Sequence, residues 1–292
     1  MESNPIVKSD DKIMMSLRQN FREDVKSFSV LKPFYGFFLL AWDWGLICGT
    51  IYLAKSTETI FTTIFALFVV ASRQHALLAL THEAVHYRLF KSRFWNDFTG
   101  NLFAAYPLVW DVYGYRENHV LHHKYVNTAQ DPDWQRKLGH PDWQFPNSKK
   151  YLSRLFLRYL WGFGFVDNVK FALVMSNHWP AEKLKREGQA SLITGKIFYY
   201  SIVLGGFCYL GLGPTVVLYW FVPFFFIYPP FQKFRSIAEH FGLPNNHELN
   251  ETRNVTSGSI ESFFFSPHNL NYHLVHHLFP TIPCYNLKKL NK

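Results

Sequence analysis

Cysteine is scarce in this chain. Only Cys48, Cys208 and Cys284 occur, two of them in apolar segments, and the odd count offers no disulfide framework. No CxxC or CxxCH is present, which argues against thiolate zinc and c-type haem. No GxGxxG run follows a strand and no cysteines are spaced for an iron–sulfur cluster, so redox chemistry here would need electrons from elsewhere. Acidic residues are also short: 21 Asp and Glu stand against 30 Lys and Arg, a net charge of +9. That balance favours an anionic lipid surface or an acidic protein partner. No dense basic run interleaves with a recognition motif, so nucleic acid is not an expected partner. The stretch Met1 to Asp24 is polar and mixed in charge, unlike a signal peptide. Internal repeats and low-complexity segments are absent.

What is abundant is apolar and aromatic. The 292 residues are 48% hydrophobic and include 30 Phe and 16 Tyr, yet the mean hydropathy is near zero, at −0.07. This pattern fits an all-α integral membrane protein with a large polar portion. Phe34–Leu53 is a twenty-residue apolar run, enough to span a hydrocarbon core of ~30 Å. Asp43 is its one charge, and a buried acid there is either functional or tied to a neighbouring helix or headgroup. A link at Lys55 to Glu58 turns the chain back, and a second span follows at about 57–80. The other pair is about 195–212 and 214–231, joined by Gly211-Leu212-Gly213-Pro214, with Pro223, Pro229 and Pro230 placed to kink the last. Asn101 to Trp110 is too short to span, and Tyr151 to Trp161 carries Arg154 and Arg158 one turn apart. Both suit an interfacial position. Ala181 to Glu187 reads as charged and exposed.

Four spans in two hairpins put 1–33, 81–194 and 232–292 on one side. Residues 1–33 are a partly helical lead-in, and 232–292 is a soluble tail. Basic residues crowd these three regions, whereas the outer turns hold only Lys55. The positive-inside rule makes that side cytoplasmic, with both termini on it. A bacterial inner membrane and the endoplasmic reticulum fit equally.

Histidine is the chemistry-bearing residue. Of 14 histidines, eight fall in three boxes: His82 and His86; His119, His122 and His123; His273, His276 and His277. On a helix, residues three and four apart share a face, so each box delivers its imidazoles from one turn. Clustered imidazoles would repel on protonation and compete for partners; a metal removes both problems. Eight exceed what one tetrahedral zinc needs, and suit two metals. Soluble di-iron bundles use two Glu-x-x-His motifs, of which this chain has one match, Glu83 to His86. His75 lies on the same helical stripe as the first box but ~10 Å earlier. It is a candidate for the substrate channel rather than a shared ligand. His240 emerges a few residues after the fourth span, on the side of the boxes.

The boxes HEAVH, HVLHH and HLVHH resemble the three histidine motifs of the membrane fatty acid desaturase superfamily, which also holds lipid and carotenoid hydroxylases and ketolases. Asn96-Asp97, Tyr115-Arg116 and Asp131-Pro132-Asp133 are further matches. Arg235 to Glu239-His240 resembles the family's extra-ligand segment, and Asn269 to Pro280 its final box. The likeness covers roughly 34–290. Relatives often continue past the last box, whereas this sequence ends at Lys292, so no docking or substrate-lining helix is expected after it. The resemblance implies a single domain over 1–292 holding two non-haem irons, with dioxygen as co-substrate and a fatty acyl or related lipid as substrate. Two hydrogens removed from an unactivated chain give an alkene; oxygen insertion gives an alcohol. His82, His86, His119, His122, His123, His240, His273, His276 and His277 are then the ligands. Glu83, Glu117, Asp131, Asp133 and Asn269 are candidates to orient them. The acyl chain is expected in an apolar tunnel lined by Phe and Tyr, and a ferredoxin or cytochrome is the implied electron donor. The runner-up is a hydroxylase or ketolase. Two readings come from other classes: a zinc protease, because HEAVH matches HExxH, and a metal transporter.

Overall fold

A computed structural model of the chain describes residues 16–17, 19–135, 137–167, 189–243 and 248–291. The segment 181–187, His178 and His247 lie outside them. Among the described residues the secondary structure is helical and includes no strand. The principal helices are α1 (Arg22–Phe28), α2 (Tyr35–Thr57), α3 (Ile60–Val85), α4 (Arg93–Gly100), α5 (Val112–Tyr125), α6 (Lys149–Arg158), α7 (Gln189–Tyr209), α8 (Gly213–His240), α9 (Ser259–Phe265), α10 (His273–Leu278) and α11 (Cys284–Leu290).

Three of these are long and apolar enough to cross a membrane: α2, α3 and α8. The remaining predicted span, 195–212, overlaps α7, a single apolar helix. The α2–α3 turn comes at Glu58, which has φ +52°, and Thr59, whose side chain caps α3 by accepting from Thr62 N at 3.2 Å. α2 buries Gly36, Leu40, Asp43, Ile47 and Ala54, one helical stripe, against α3. A Cβ at position 36 would lie 2.2 Å from the Leu89 carbonyl oxygen, so glycine alone allows this approach.

α3 is the axis of the molecule. Its first turns expose Ile60, Phe61, Ile64 and Phe65, the pattern of a lipid-facing surface. From Val69 to Val85 every residue is buried, so α2, α4, α5, α8 and α9 surround its second half. With 26 residues it is ~39 Å long, more than a hydrocarbon core of ~30 Å requires. The surplus carries the first histidine box beyond the apolar stretch.

α8 packs against the same helix. Wide π-type turns at Val217–Phe221 and Pro223–Ile227 interrupt it, the second starting at Pro223. Pro229 and Pro230 follow at the start of its last stretch, Tyr228–His240. The prolines remove backbone donors, and the wide turns absorb the loss.

The C-terminal part folds back onto the spans. α9 lies against α3. Ser72 Oγ donates to Phe263 O at 2.6 Å, and Arg73 Nη2 donates to the same carbonyl at 2.6 Å. Arg73 also pairs with Asp43 at 3.0 Å, and His268 Nε2 contacts the other Asp43 oxygen at 2.7 Å. Asp43 is therefore tied to a neighbouring helix and to the C-terminal segment. An acid, a guanidinium and an imidazole are tolerable at that depth because they are mutually paired.

Candidate metal centre

Four elements deliver the histidines. The last turn of α3 supplies His82 and its cap His86, and α5 supplies His119, His122 and His123. α8 ends on His240, and α10 holds His273, His276 and His277. The ends meet because their backbones are clamped. Arg116 of α5 donates through Nε to Val85 O at 2.8 Å and through Nη2 to Ala84 O at 2.9 Å, while pairing with Asp97 at 2.6 Å. Asn96 of α4 donates to Ala84 O at 2.8 Å and accepts from Leu89 N and Phe90 N. The open carbonyls at the end of α3 are thus satisfied by a cation and an amide. Asn254 Oδ1 accepts from Leu274 N at 3.0 Å, which caps α10.

The imidazoles fall into two groups side by side. His82, His86, His119, His123 and His276 have ring nitrogens within 4.8 Å of one another. His122, His240 and His277 form a second set, and His273 joins it through His240 and Glu239. The stacked rings of His123 and His277, 4.2 Å apart, connect the two. His240, separate in sequence from the boxes, thus stands within the cluster.

The nitrogens converge as ligands to shared cations would. His123 Nε2 lies 2.9 Å from His119 Nε2 and 3.0 Å from His276 Nε2. His273 Nε2 lies 2.8 Å from His240 Nε2 and 3.0 Å from His277 Nε2. One neutral nitrogen is either donor or acceptor, so each of these triplets cannot be a chain of hydrogen bonds. Among the described residues, both ring nitrogens of His82 and Nε2 of His86 are buried with no hydrogen-bond partner. At metal–nitrogen lengths of ~2.0–2.1 Å, ligands at a right angle stand ~2.8–3.0 Å apart and tetrahedral ones ~3.3–3.4 Å. The closest contacts match ligands at a right angle, and an all-imidazole donor set suits a transition metal such as iron, zinc, copper or nickel.

The electrostatics agree. Burial, then the Arg88 and Arg116 guanidiniums, lowers His86 to about 3. Burial followed by neighbouring imidazoles holds His119, His123, His273, His276 and His277 well below the ordinary histidine value. The rings are neutral at physiological pH and available as ligands.

The predicted supporting residues divide. Asp131 is buried and its Oδ2 stands 2.9 Å from His122 Nδ1, while also accepting from Asn127 N at 2.9 Å. Glu83 turns away: its Oε2 accepts from Cys284 N at 2.8 Å, and Oε1 is 4.0 Å from His82 Nδ1, beyond hydrogen-bond reach. Asn269, at φ +61°, donates to Cys284 O at 3.1 Å rather than to an imidazole. Asp133 pairs with Lys137, and Glu117 is half-buried on α5. His75 is buried beside Phe264 O, 3.5 Å from Nδ1, and edge-on to Tyr228. It does not line the cavity described next. Sequence reasoning missed Glu239 as a neighbour of the centre. It binds Arg235 at 2.8 Å and approaches His273 Nε2 to 3.6 Å. Its i,i+4 spacing from Arg235 was the available signal.

A cavity of about 450 Å³ opens beside both groups. His82, His119, His122, His240 and His273 line it, together with Leu78, Trp110 and Tyr115. The same cavity runs to Lys137, Trp143, Tyr159 and Lys233. Its described lining includes Tyr115 and Tyr159 but no phenylalanine, and many polar side chains, which departs from the apolar, Phe- and Tyr-lined tunnel expected of an acyl substrate.

The profile of the family described as fatty acid desaturase matches residues 58–292. A dihydrorhizobitoxine desaturase from Bradyrhizobium elkanii is 29% identical over 93% of this chain and 79% of its own length. A Delta(8)-fatty-acid desaturase from Euglena gracilis is 26% identical over 71% of this chain, and an sn-1 oleoyl-lipid 12-desaturase from Anabaena variabilis 24% over 71%. The chain spans 55% and 61% of the length of these last two.

Proposed function

The chain belongs to the fatty acid desaturase family, and we propose that it is a membrane-bound, oxygen-dependent di-iron desaturase acting on a fatty acyl chain or a related lipid. The observation that carries this reading is the convergence of nine imidazoles into two adjacent groups. His82, His86, His119, His123 and His276 would hold one iron, and His122, His240, His273 and His277 the other. Bound there, the two irons supply dioxygen activation strong enough to take hydrogens from an unactivated carbon chain.

The protein's own residues do the rest. Asp131 fixes the His122 ring by accepting its Nδ1–H, which leaves Nε2 for the metal. Arg116 and Asn96 hold the end of α3 so that His82 and His86 point inward. Leu78, Trp110 and Tyr115 face the substrate beside the centre and keep water out. The chain carries no electron-transfer motif of its own, so a ferredoxin or cytochrome supplies the electrons, drawn to its basic face. Four spans, α2, α3, α7 and α8, with both termini cytoplasmic are part of the same proposal; three helices long and apolar enough to cross a membrane and the basic flanks support it.

A zinc protease reading of HEAVH needs Glu83 to face the metal-bound water; its carboxylate is instead spent on Cys284 N. The test is metal analysis and turnover of protein purified in detergent with a reducing partner. About two irons per chain are expected, as the two groups imply. His122→Ala and His240→Ala should each lose iron and abolish alkene formation. Full product from either variant would sink that residue's place in the centre. An alcohol product instead of an alkene would make the protein a hydroxylase on the same centre.

A further inference from the structure

The cavity beside the histidines has a far end that this reading leaves unused. Lys233, near the end of α8, is 3% exposed, and among the described residues its Nζ has no hydrogen-bond partner. The ammonium lies 3.2 Å from the centroid of the Trp143 ring and 5.5 Å from that of Tyr159. All three residues line the cavity.

The neighbouring cations are matched. Lys137 pairs with Asp133 and also donates to Ser236 Oγ at 3.0 Å. Arg235 holds Glu239 at 2.8 Å. Arg158 faces Asp142 at 3.8 Å and Asp167 at 3.7 Å, and Asp142 also accepts from Tyr151 Oη at 2.7 Å. Asp142 and Asp167 act on Lys233 through their charge from further off, but no carboxylate among the described residues lies within ion-pair reach of its Nζ. Two ring faces stabilise a cation, but they accept none of its three N–H donors in a conventional hydrogen bond. A buried ammonium with its donors unspent is costly, and a ligand that accepts from it removes the cost.

We propose that Lys233 anchors an anionic group of the substrate, a carboxylate or a phosphate, while the carbon to be oxidised lies at the histidine end of the same cavity. Gln232 and Ser236 also line the cavity, as do Asp133, Asp167 and Glu239, so part of its wall is polar. With a volume of about 450 Å³ shared by anchor and metal centre, the oxidised bond lies a short distance from the charged group. The substrate is then a compact anionic molecule, or an acyl chain attacked near its charged end. This deepens the desaturase reading and rests on it.

The test uses iron-loaded, full-length protein in detergent, titrated calorimetrically with hexanoate, hexyl phosphate and, as a neutral control, hexan-1-ol. The wild type should bind at least one of the anions about tenfold or more tightly than the alcohol, the size expected of a hydrogen-bonded charge. The preference should vanish in Lys233→Met and persist in Lys233→Arg. Iron content and Tm of the variants show that the fold is intact. A tighter hexanoate points to a free acid, a tighter hexyl phosphate to a phosphate-bearing substrate. Equal binding of anions and alcohol to the wild type overturns the proposal. So does a preference that survives Lys233→Met, since the anion would then sit on the metal centre. Failure of the wild type to take up iron would instead fault the desaturase reading.

Discussion

At the scale of single residues, the histidine boxes were readable because their spacing matches a helical turn and needs no distant information. His240 was readable from its place just after an apolar span. The contacts that Glu83 and Asn269 make with Cys284 were not, because it lies 201 and 15 residues away in sequence. Local spacing carries no trace of such contacts. Asp131 stands 2.9 Å from His122 Nδ1, with its Oδ1 accepting from Asp133 N at 2.8 Å. Removing it frees the His122 ring to rotate and leaves Asn127 N unsatisfied. Asp131→Ala should therefore weaken iron affinity by about 10–100-fold, the range for second partners of ligating histidines. Competition with a graded chelator would measure it; unchanged affinity would mean that Asp131 serves only the loop.

At the scale of elements, hydropathy located α2, α3 and α8, since twenty apolar residues leave few alternatives to a buried or membrane helix. It also foretold that α3 would continue past its apolar stretch into the first box. It could not foretell the clamp at that end. Asn96-Asp97 and Tyr115-Arg116 stood out only as part of a family likeness, and their task is visible only in the fold. Arg116 binds Val85 O, Ala84 O and Asp97 at once, with its guanidinium 3.8 Å from the centroid of the Tyr87 ring. Taking away one partner of such a largely buried pair costs roughly 3–5 kcal/mol. That cost falls on the last turn of α3. Arg116→Met should thus lower iron content and speed hydrogen exchange of the amides near His82 and His86, while exchange in α2 is unchanged. If exchange rises equally throughout, the arginine supports the whole fold rather than this turn.

At the scale of the whole molecule, the sequence puts the polar segments 1–33, 81–194 and 232–292 on one side of a membrane as an expectation, and it says nothing of how they pack. In the sequence, Asp43 stands out as the one charge of its apolar run. In the fold it is the joint where the C-terminal segment meets the α2–α3 hairpin. The metal centre depends on that joint, because α9 leads directly into the last box. Its assembly also concentrates buried imidazoles in one place, with a consequence for acid stability. In the metal-free protein, His86 is held at about 3, and His119, His123, His273, His276 and His277 are likewise pushed down by burial. Unfolded histidines take up protons near pH 6.5, whereas these do not while the fold persists. The unfolded state therefore binds more protons below that pH, and stability falls as pH drops from about 6.5 toward the folded values. Each such histidine contributes roughly 1.4 kcal/mol per pH unit in that window. Protein stripped of metal should accordingly show a steep fall in Tm between pH 7 and pH 5.5. A variant with His276 and His277 both replaced by Gln has two fewer groups to protonate and should show a shallower fall. A Tm flat across the window, or an equal slope in the variant, would show that the imidazoles are not held neutral by burial in the shared site.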